Sequence, residues 1–148
     1  MQIKELGHAV LYVSSLERVG DFYRDTLGFK EIVRQWPIAM FSGGRTHHEL
    51  LLIEVGGASD HVRGRPQTPG LYHLGFKAAD TTEELKGVYK ELKEKGVTIR
   101  GTADHGVTHS VYILDPDGNE LELYADVSDA WQSDPTAIAT PAKPLWFE

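Results

Sequence analysis

The sequence predicts an α+β protein built from two tandem βαβββ modules, and three observations predict it. Strand-like and helix-period runs follow the same order in both halves of the chain, the halves match at an offset near 65 residues, and each opens on a strand carrying a histidine. His8 and His73 are 65 residues apart, and Tyr23 and Tyr89 are 66 apart. With 148 residues, about the size of one ordinary domain, the chain reads as a single domain over 1–148. Within it, module one covers about 3–57, a linker 56–70, module two about 70–126 and a tail 127–148.

The first strand is expected from His8 to Val13. Ser14 and Glu17 have capping-box spacing, and Leu16, Val19, Phe22, Tyr23 and Leu27 recur at helical intervals up to Gly28, a C-cap candidate. Strands follow at Phe29–Gln35, Ile38–Ser42 and Glu49–Val55, separated by Pro37 and by Gly43-Gly44. The second copy starts with a strand at Leu71–Ala78. A Thr81-x-x-Glu84 box then opens a helix with Leu85, Val88, Tyr89 and Leu92 on one face, closed by Gly96. Strands Thr98–Gly101, His109–Leu114 and Glu120–Ala125 complete it, with Pro116-Asp117-Gly118 as the last hairpin turn. The linker is rich in Gly, Pro and Arg. The tail turns to Ser, Asp, Pro, Ala and Thr and reads as irregular, with Trp131, Trp146 and Phe147 needing apolar cover from this domain or a partner subunit.

Composition narrows the function classes. With 22 acidic against 15 basic residues, a formal charge of −7 and no basic cluster, a nucleic-acid or anionic-membrane surface is not expected. A small-molecule partner is. The chain has no cysteine, which excludes disulfides and thiolate metal sites and leaves His and carboxylate as the donors for any metal. Met1-Gln2-Ile3-Lys4-Glu5 leads into a strand pattern without the apolar region of a signal peptide, and no run has transmembrane length, so a cytoplasmic location is expected.

His8, His73 and Glu122 each sit in a strand-like run. Two imidazoles and one carboxylate are the ligand set of an open Fe(II) site. A histidine on an apolar strand is more often a core or surface residue than a ligand, but here two occupy equivalent positions of a repeat.

The paired βαβββ plan, Gly7-His8, Tyr72-His73 and Asp115-Pro116-Asp117-Gly118-Asn119 with Glu122 resemble the vicinal oxygen chelate superfamily. It includes glyoxalase I, bleomycin-resistance proteins, methylmalonyl-CoA epimerase and type I extradiol dioxygenases. The resemblance covers residues 3–126 and implies two modules forming one cupped, incomplete barrel, with metal held by His8, His73 and Glu122. Aligning the halves through their last strands sets Leu51 opposite Glu122, where glyoxalase-like and epimerase-like members supply a fourth ligand. A site of three protein ligands favours oxygen chemistry, which needs open positions for a bidentate substrate and O₂. A slip of the alignment would offer Glu49 or Glu54 instead.

His47-His48-Glu49 looks like the extradiol segment whose histidine shuttles a proton, and this implies a catalytic role for His48. An imidazole near its reference pKa of about 6.5 suits that role. The stretch from Asp104 to Asn119 is similar to the extradiol segment in which a His and a Tyr precede the ligand Glu, the Tyr by ten residues, as Tyr112 precedes Glu122. Tyr112 is thereby expected to bind a substrate oxygen and His105 to bond substrate or bound oxygen, with His109 as competitor. The bland alternatives are a hairpin-mouth His48, a Tyr112 packed on the helix layer and a His105 exposed in a turn. His47 and His61 are read as surface residues, Arg63 and Arg65 as linker cations facing water, and Asp115–Asn119 as a turn.

The expected activity is extradiol cleavage of a catecholic ring by O₂, dependent on Fe(II), with Mn, Ni, Co or Zn as alternatives, in a homodimer. The competing readings are a glyoxalase- or epimerase-type lyase or isomerase, and a small-molecule-binding resistance-type protein.

Overall fold

Successive side chains of a strand point to opposite sheet faces, and this periodicity decides what each sheet buries. The structure is a computed structural model describing residues 1–57 and 70–147; His61, Arg63 and Arg65 lie outside the described residues. The chain divides into two units, Met1–Arg65 with Pro116–Gly118, and Pro66–Asp115 with Asn119–Glu148.

In the first unit β1 (Ala9–Val13) buries Leu11 and Val13 and exposes Val10 and Tyr12. With β2 (Lys30–Gln35), β3 (Ile38–Ser42) and β4 (Leu50–Glu54) it forms a sheet of order β1-β4-β3-β2. β1 runs parallel to β4 and the other pairs are antiparallel. A parallel pair needs a crossover, and α1 (Leu16–Asp21) begins it, passing into a π-helical turn at Phe22–Thr26. Leu16, Val19 and Tyr23 are buried, as are Ala39, Phe41, Leu50 and Leu52 of the sheet. Each such large side chain contributes about 1.5–3 kcal/mol on burial.

The helix cap corrects the expectation by one residue. Ser15, not Ser14, accepts the Arg18 N–H. Ser14 is engaged elsewhere: its N–H and hydroxyl both donate to the buried Asp117 carboxylate at 2.7 Å. A charged acceptor outcompetes a neutral cap, and it binds the Pro116–Gly118 turn into the first unit.

The second unit repeats the plan. β5 (His73–Ala79), β6 (Ile99–Asp104), β7 (Thr108–Leu114) and β8 (Glu120–Asp126) are ordered β5-β8-β7-β6, with β5 parallel to β8. α2 (Thr82–Glu94) is capped by Thr81, which accepts from Glu84 N–H, while the Glu84 carboxylate takes the N–H of Asp80. Leu85 and Leu92 of the helix are buried, together with Val111, Ile113, Leu121, Leu123 and Ala125 of the sheet.

The tail is more ordered than its composition predicts. It forms α3 (Ala130–Ser133), a 3-10 turn at Pro135–Ala139 and β9 (Lys143–Pro144), which adds a fifth strand beside β6. The outer side of β6 presents unpaired backbone groups that an extended segment can satisfy. Two residues carry no readable strand signal. Phe147 stacks on Tyr89 at 5.4 Å, whereas Trp131 and Trp146 stay exposed. No helix among the described residues is long and apolar enough to cross a membrane.

Candidate active site

Strand alternation separates the two faces of the second sheet. Leu121, Leu123 and Ala125 of β8 are buried in the core, and Glu120, Glu122 and Tyr124 occupy the other face. The carrier strand of Glu122 lies between β5 and β7, with Gly75 and Tyr112 as its direct neighbours. Five side chains gather there, Glu122 among them. Glu122 Oε2 lies 3.0 Å from His73 Nε2, and Oε1 accepts from Ser110 Oγ at 2.6 Å and from the Tyr112 hydroxyl at 3.2 Å. His105 Nε2 stands 2.8 Å from the same hydroxyl. Tyr112 has one proton to donate, so with Glu122 as acceptor His105 must carry hydrogen on Nε2 and donate to the phenol oxygen.

Burial, then the Glu122 charge, pushes the Tyr112 phenol well above its ordinary value. It therefore stays protonated at neutral pH and acts as a hydrogen-bonding group, not a base. His73 Nδ1 is buried without a hydrogen-bond partner among the described residues, 4.0 Å from Glu120 Oε1. Glu120 is the cross-strand partner of His73 and also bonds the Tyr72 hydroxyl, which raises that phenol.

Do these groups suit a metal? Two adjacent donors on an octahedral ion, each about 2.1 Å from it, stand roughly 3.0 Å apart. That is the separation of His73 Nε2 and Glu122 Oε2. An imidazole and a carboxylate are also the borderline donors that divalent first-row metals accept. Among the described residues no group of three or more His, Asp or Glu side chains forms a ready-made cage. In the second unit His73 and Glu122 form the shortest imidazole–carboxylate pair among the described residues, at 3.0 Å.

In the first unit His8 directly precedes β1, and its ring lies 4.6 Å from that of His48. His48 meets His47 through their Nδ1 atoms at 2.6 Å, while its Nε2 is buried and unpartnered among the described residues. Burial, then the nearby His47 and His8, lowers the His48 pKa.

Glu49 and Glu54 are both committed to structure. Glu49 accepts from the N–H groups of Gly43, Arg45 and Thr46 at 2.8, 3.0 and 3.1 Å, folding the loop before β4. Glu54 accepts from Leu16 N–H at 2.7 Å and from Trp36 Nε1 at 3.2 Å. Burial opposes the Glu49 charge, but these donors and Ser42 outweigh it and hold the carboxyl below its ordinary range. A depressed folded value means that the stabilisation is complete above the unfolded value and disappears as pH falls through the folded one. Glu49→Ala is expected to lower stability at pH 7 by about 1–3 kcal/mol. Its deficit against the unsubstituted protein should shrink on acidification through the ordinary glutamate range and close as pH falls through the depressed folded value. Thermal unfolding from pH 7 to 3 checks this, and a deficit that does not vary with pH would refute it.

The remaining histidines divide by face. His109 Nδ1 is 2.9 Å from Thr82 Oγ1 and its Nε2 3.5 Å from Asp104, so it serves the start of α2 while His105 joins Tyr112. His47 is exposed. Two participants escaped the sequence reading, Ser110 and Glu120. A lone serine two residues before Tyr112 in an apolar strand, and a carboxylate two before Glu122, share their faces by alternation, which is the signal that could have found them.

The family model described as Glyoxalase/Bleomycin resistance protein/Dioxygenase superfamily matches residues 5–123. The chain belongs to this superfamily. It is 37% identical over 133 residues to the catechol-2,3-dioxygenase of Bacillus subtilis strain 168, covering 87% of this chain and 44% of that protein. It is 34% identical over 121 residues to biphenyl-2,3-diol 1,2-dioxygenase 3 of Rhodococcus globerulus, covering 82% and 63%. The chain thus spans roughly half of the length of these curated relatives. The crystal structure of lactoylglutathione lyase from Agrobacterium tumefaciens has the same fold, with a TM-score of 0.64 at 23% identity over 84% of this chain and 96% of that one.

Within the superfamily's paired modules, strand register permits an exact comparison of positions. In the second unit His73 faces Glu120 and Gly75 faces Glu122. In the first, Val10 faces Leu51, and Ala9 N–H bonds to the Glu49 carbonyl one pair earlier. Two residues after the histidine, the partner strand carries Glu122 in one unit and Leu51 in the other.

Proposed function

We propose that the chain is a metal-dependent extradiol-type dioxygenase that opens a catecholic ring with O₂. The relatives named as catechol and biphenyl-diol dioxygenases support this reading. The observation that carries it against a lyase or isomerase is the missing fourth donor. Leu51 stands in register where Glu122 stands, and the carboxylates of Glu49 and Glu54, the other candidates, are bound to loop and helix donors. A site with three protein ligands keeps positions open for substrate and O₂.

His73 and Glu122 would hold the ion, and His8 is proposed as the third ligand because it takes the place in its module that His73 takes in the other. Fe(II) is the proposed metal, and Mn, Co, Ni or Zn would be accepted by the same donors. When bound, the metal would template the substrate oxygens and O₂ and supply a path for electron transfer. The chain's own residues then have separate tasks. Tyr112, held protonated and fixed between Glu122 and His105, would hydrogen-bond a substrate oxygen. Ser110 occupies Glu122 Oε1 and so would leave Oε2, which faces His73, to hold the ion. His48 would take the second phenolic proton on Nε2 and return it to the departing oxygen, the proton relay that ring cleavage needs. A resistance-type protein that only sequesters a small molecule does not require metal donors, and the meeting of His73 with Glu122 supports the enzyme reading over it.

The test is anaerobic purification, reconstitution with Fe(II) and addition of a panel of catechols. O₂ uptake with a yellow ring-fission product is expected. Stoichiometric metal binding with no O₂ uptake on any catechol would overturn the proposal.

A further inference from the structure

The family match ends at residue 123, yet the tail beyond it reaches back to the candidate site. β9 pairs with the last residues of β6, Ala103 opposite Pro144 and Asp104 opposite Lys143. The Thr102 hydroxyl donates to the Leu145 carbonyl, and Phe147 stacks on Tyr89 of α2. Between these anchors and the 3-10 turn lies Thr140, whose hydroxyl donates to the His105 carbonyl at 3.0 Å. His105 sits in the turn between β6 and β7, where its N–H bonds Thr108 O and Gly106 N–H bonds the Asp104 carboxylate. Gly106 is required there twice over. Its φ is +83°, and a Cβ would come within 2.9 Å of Thr140 Oγ1.

We propose that the tail is a strap whose Thr140 is a positioning residue for His105, fixing the turn so that Nε2 meets the Tyr112 hydroxyl. The path is continuous in hydrogen bonds: Thr140 to the His105 backbone, His105 Nε2 to Tyr112, and Tyr112 to Glu122. The strap is built from segments remote in sequence, 35 residues separating Thr140 from His105. The turn's own bonds fix its backbone at Thr108 and Asp104, and the Thr140 bond adds a restraint on the His105 carbonyl; without it a small rotation there would swing the imidazole off a hydroxyl that it meets at 2.8 Å, and hydrogen bonds weaken steeply with misalignment. The kinetic consequence rests on the dioxygenase reading above; the structural consequence does not.

The test compares Thr140→Val, Thr140→Ala and Thr140→Ser with the unsubstituted protein, all loaded with Zn(II) for ¹⁵N-histidine NMR and with Fe(II) for kinetics. His105→Asn identifies the His105 ring signals. Thr140→Val and Thr140→Ala should move the His105 Nε2 resonance toward that of a free imidazole, and Thr140→Ser should leave it in place. In kinetics, kcat on an active catechol should fall roughly 2- to 10-fold in Thr140→Val, the worth of one neutral hydrogen bond, with KM changing less, and recover in Thr140→Ser. Unchanged His105 signals in Thr140→Val and Thr140→Ala would overturn the strap. If no catechol is turned over by the unsubstituted protein, the function proposal fails alone, and the NMR comparison still decides this one.

Discussion

Glu122→Gln is expected to weaken divalent-metal binding by about 100-fold or more. Outer residues that merely orient a ligand cost 10- to 100-fold when changed, and a direct ligand should cost no less. The amide keeps the shape of the side chain, and its oxygen can still accept from Ser110 and Tyr112, which bond Oε1 at 2.6 and 3.2 Å. What it loses is the negative charge and one strong donor beside His73 Nε2. Titration with Mn(II) or Co(II) against a competing chelator, with circular dichroism to verify the fold, measures the effect. An affinity within threefold of the unsubstituted protein would remove Glu122 from the proposed ligand set.

His48→Ala is expected to do the opposite: metal binding retained and turnover reduced by about 10²- to 10⁴-fold, the usual worth of a positioned proton-transfer group. Its geometry motivates this. His48 Nε2 is buried with no partner among the described residues, its ring lies against that of the proposed ligand His8, and its Nδ1 is occupied by His47. One ring nitrogen is thus fixed and the other left to exchange a proton. Metal titration and O₂ uptake on the same preparation separate the two effects. Full turnover in the variant would end the proton-shuttle assignment, and loss of metal would recast His48 as a support for His8.

The strands and helices were legible because their signals are local. Alternation in β8, the helical face of α2 and the glycine at Gly96, with φ +70°, are all readable from neighbours in the chain. Ile38–Ser42 appears with the predicted bounds. The register of Leu51 against Glu122 was also within reach, since two copies of one module share their offsets. The N-cap was harder. Ser14 and Ser15 are equivalent in local chemistry, and the choice falls to Ser15 because Asp117, 103 residues away, claims Ser14. The competition between His105 and His109 likewise ended on partners, Tyr112 for one and Thr82 with Asp104 for the other.

Read without the folded chain, the residues establish the α+β class, the order of elements, the repeat and the donor types, because periodicity and composition belong to the chain itself. The meeting of His73 with Glu122, the burial of Ser110 against that carboxylate, the use of Glu49 and Glu54 as structural acceptors and the return of the tail to β6 belong to the fold. They depend on which side chains face one another across strands brought together from distant parts of the sequence. That pairing also decides which buried polar groups lack a partner among the described residues, as at His48 Nε2, the nitrogen proposed to relay the proton.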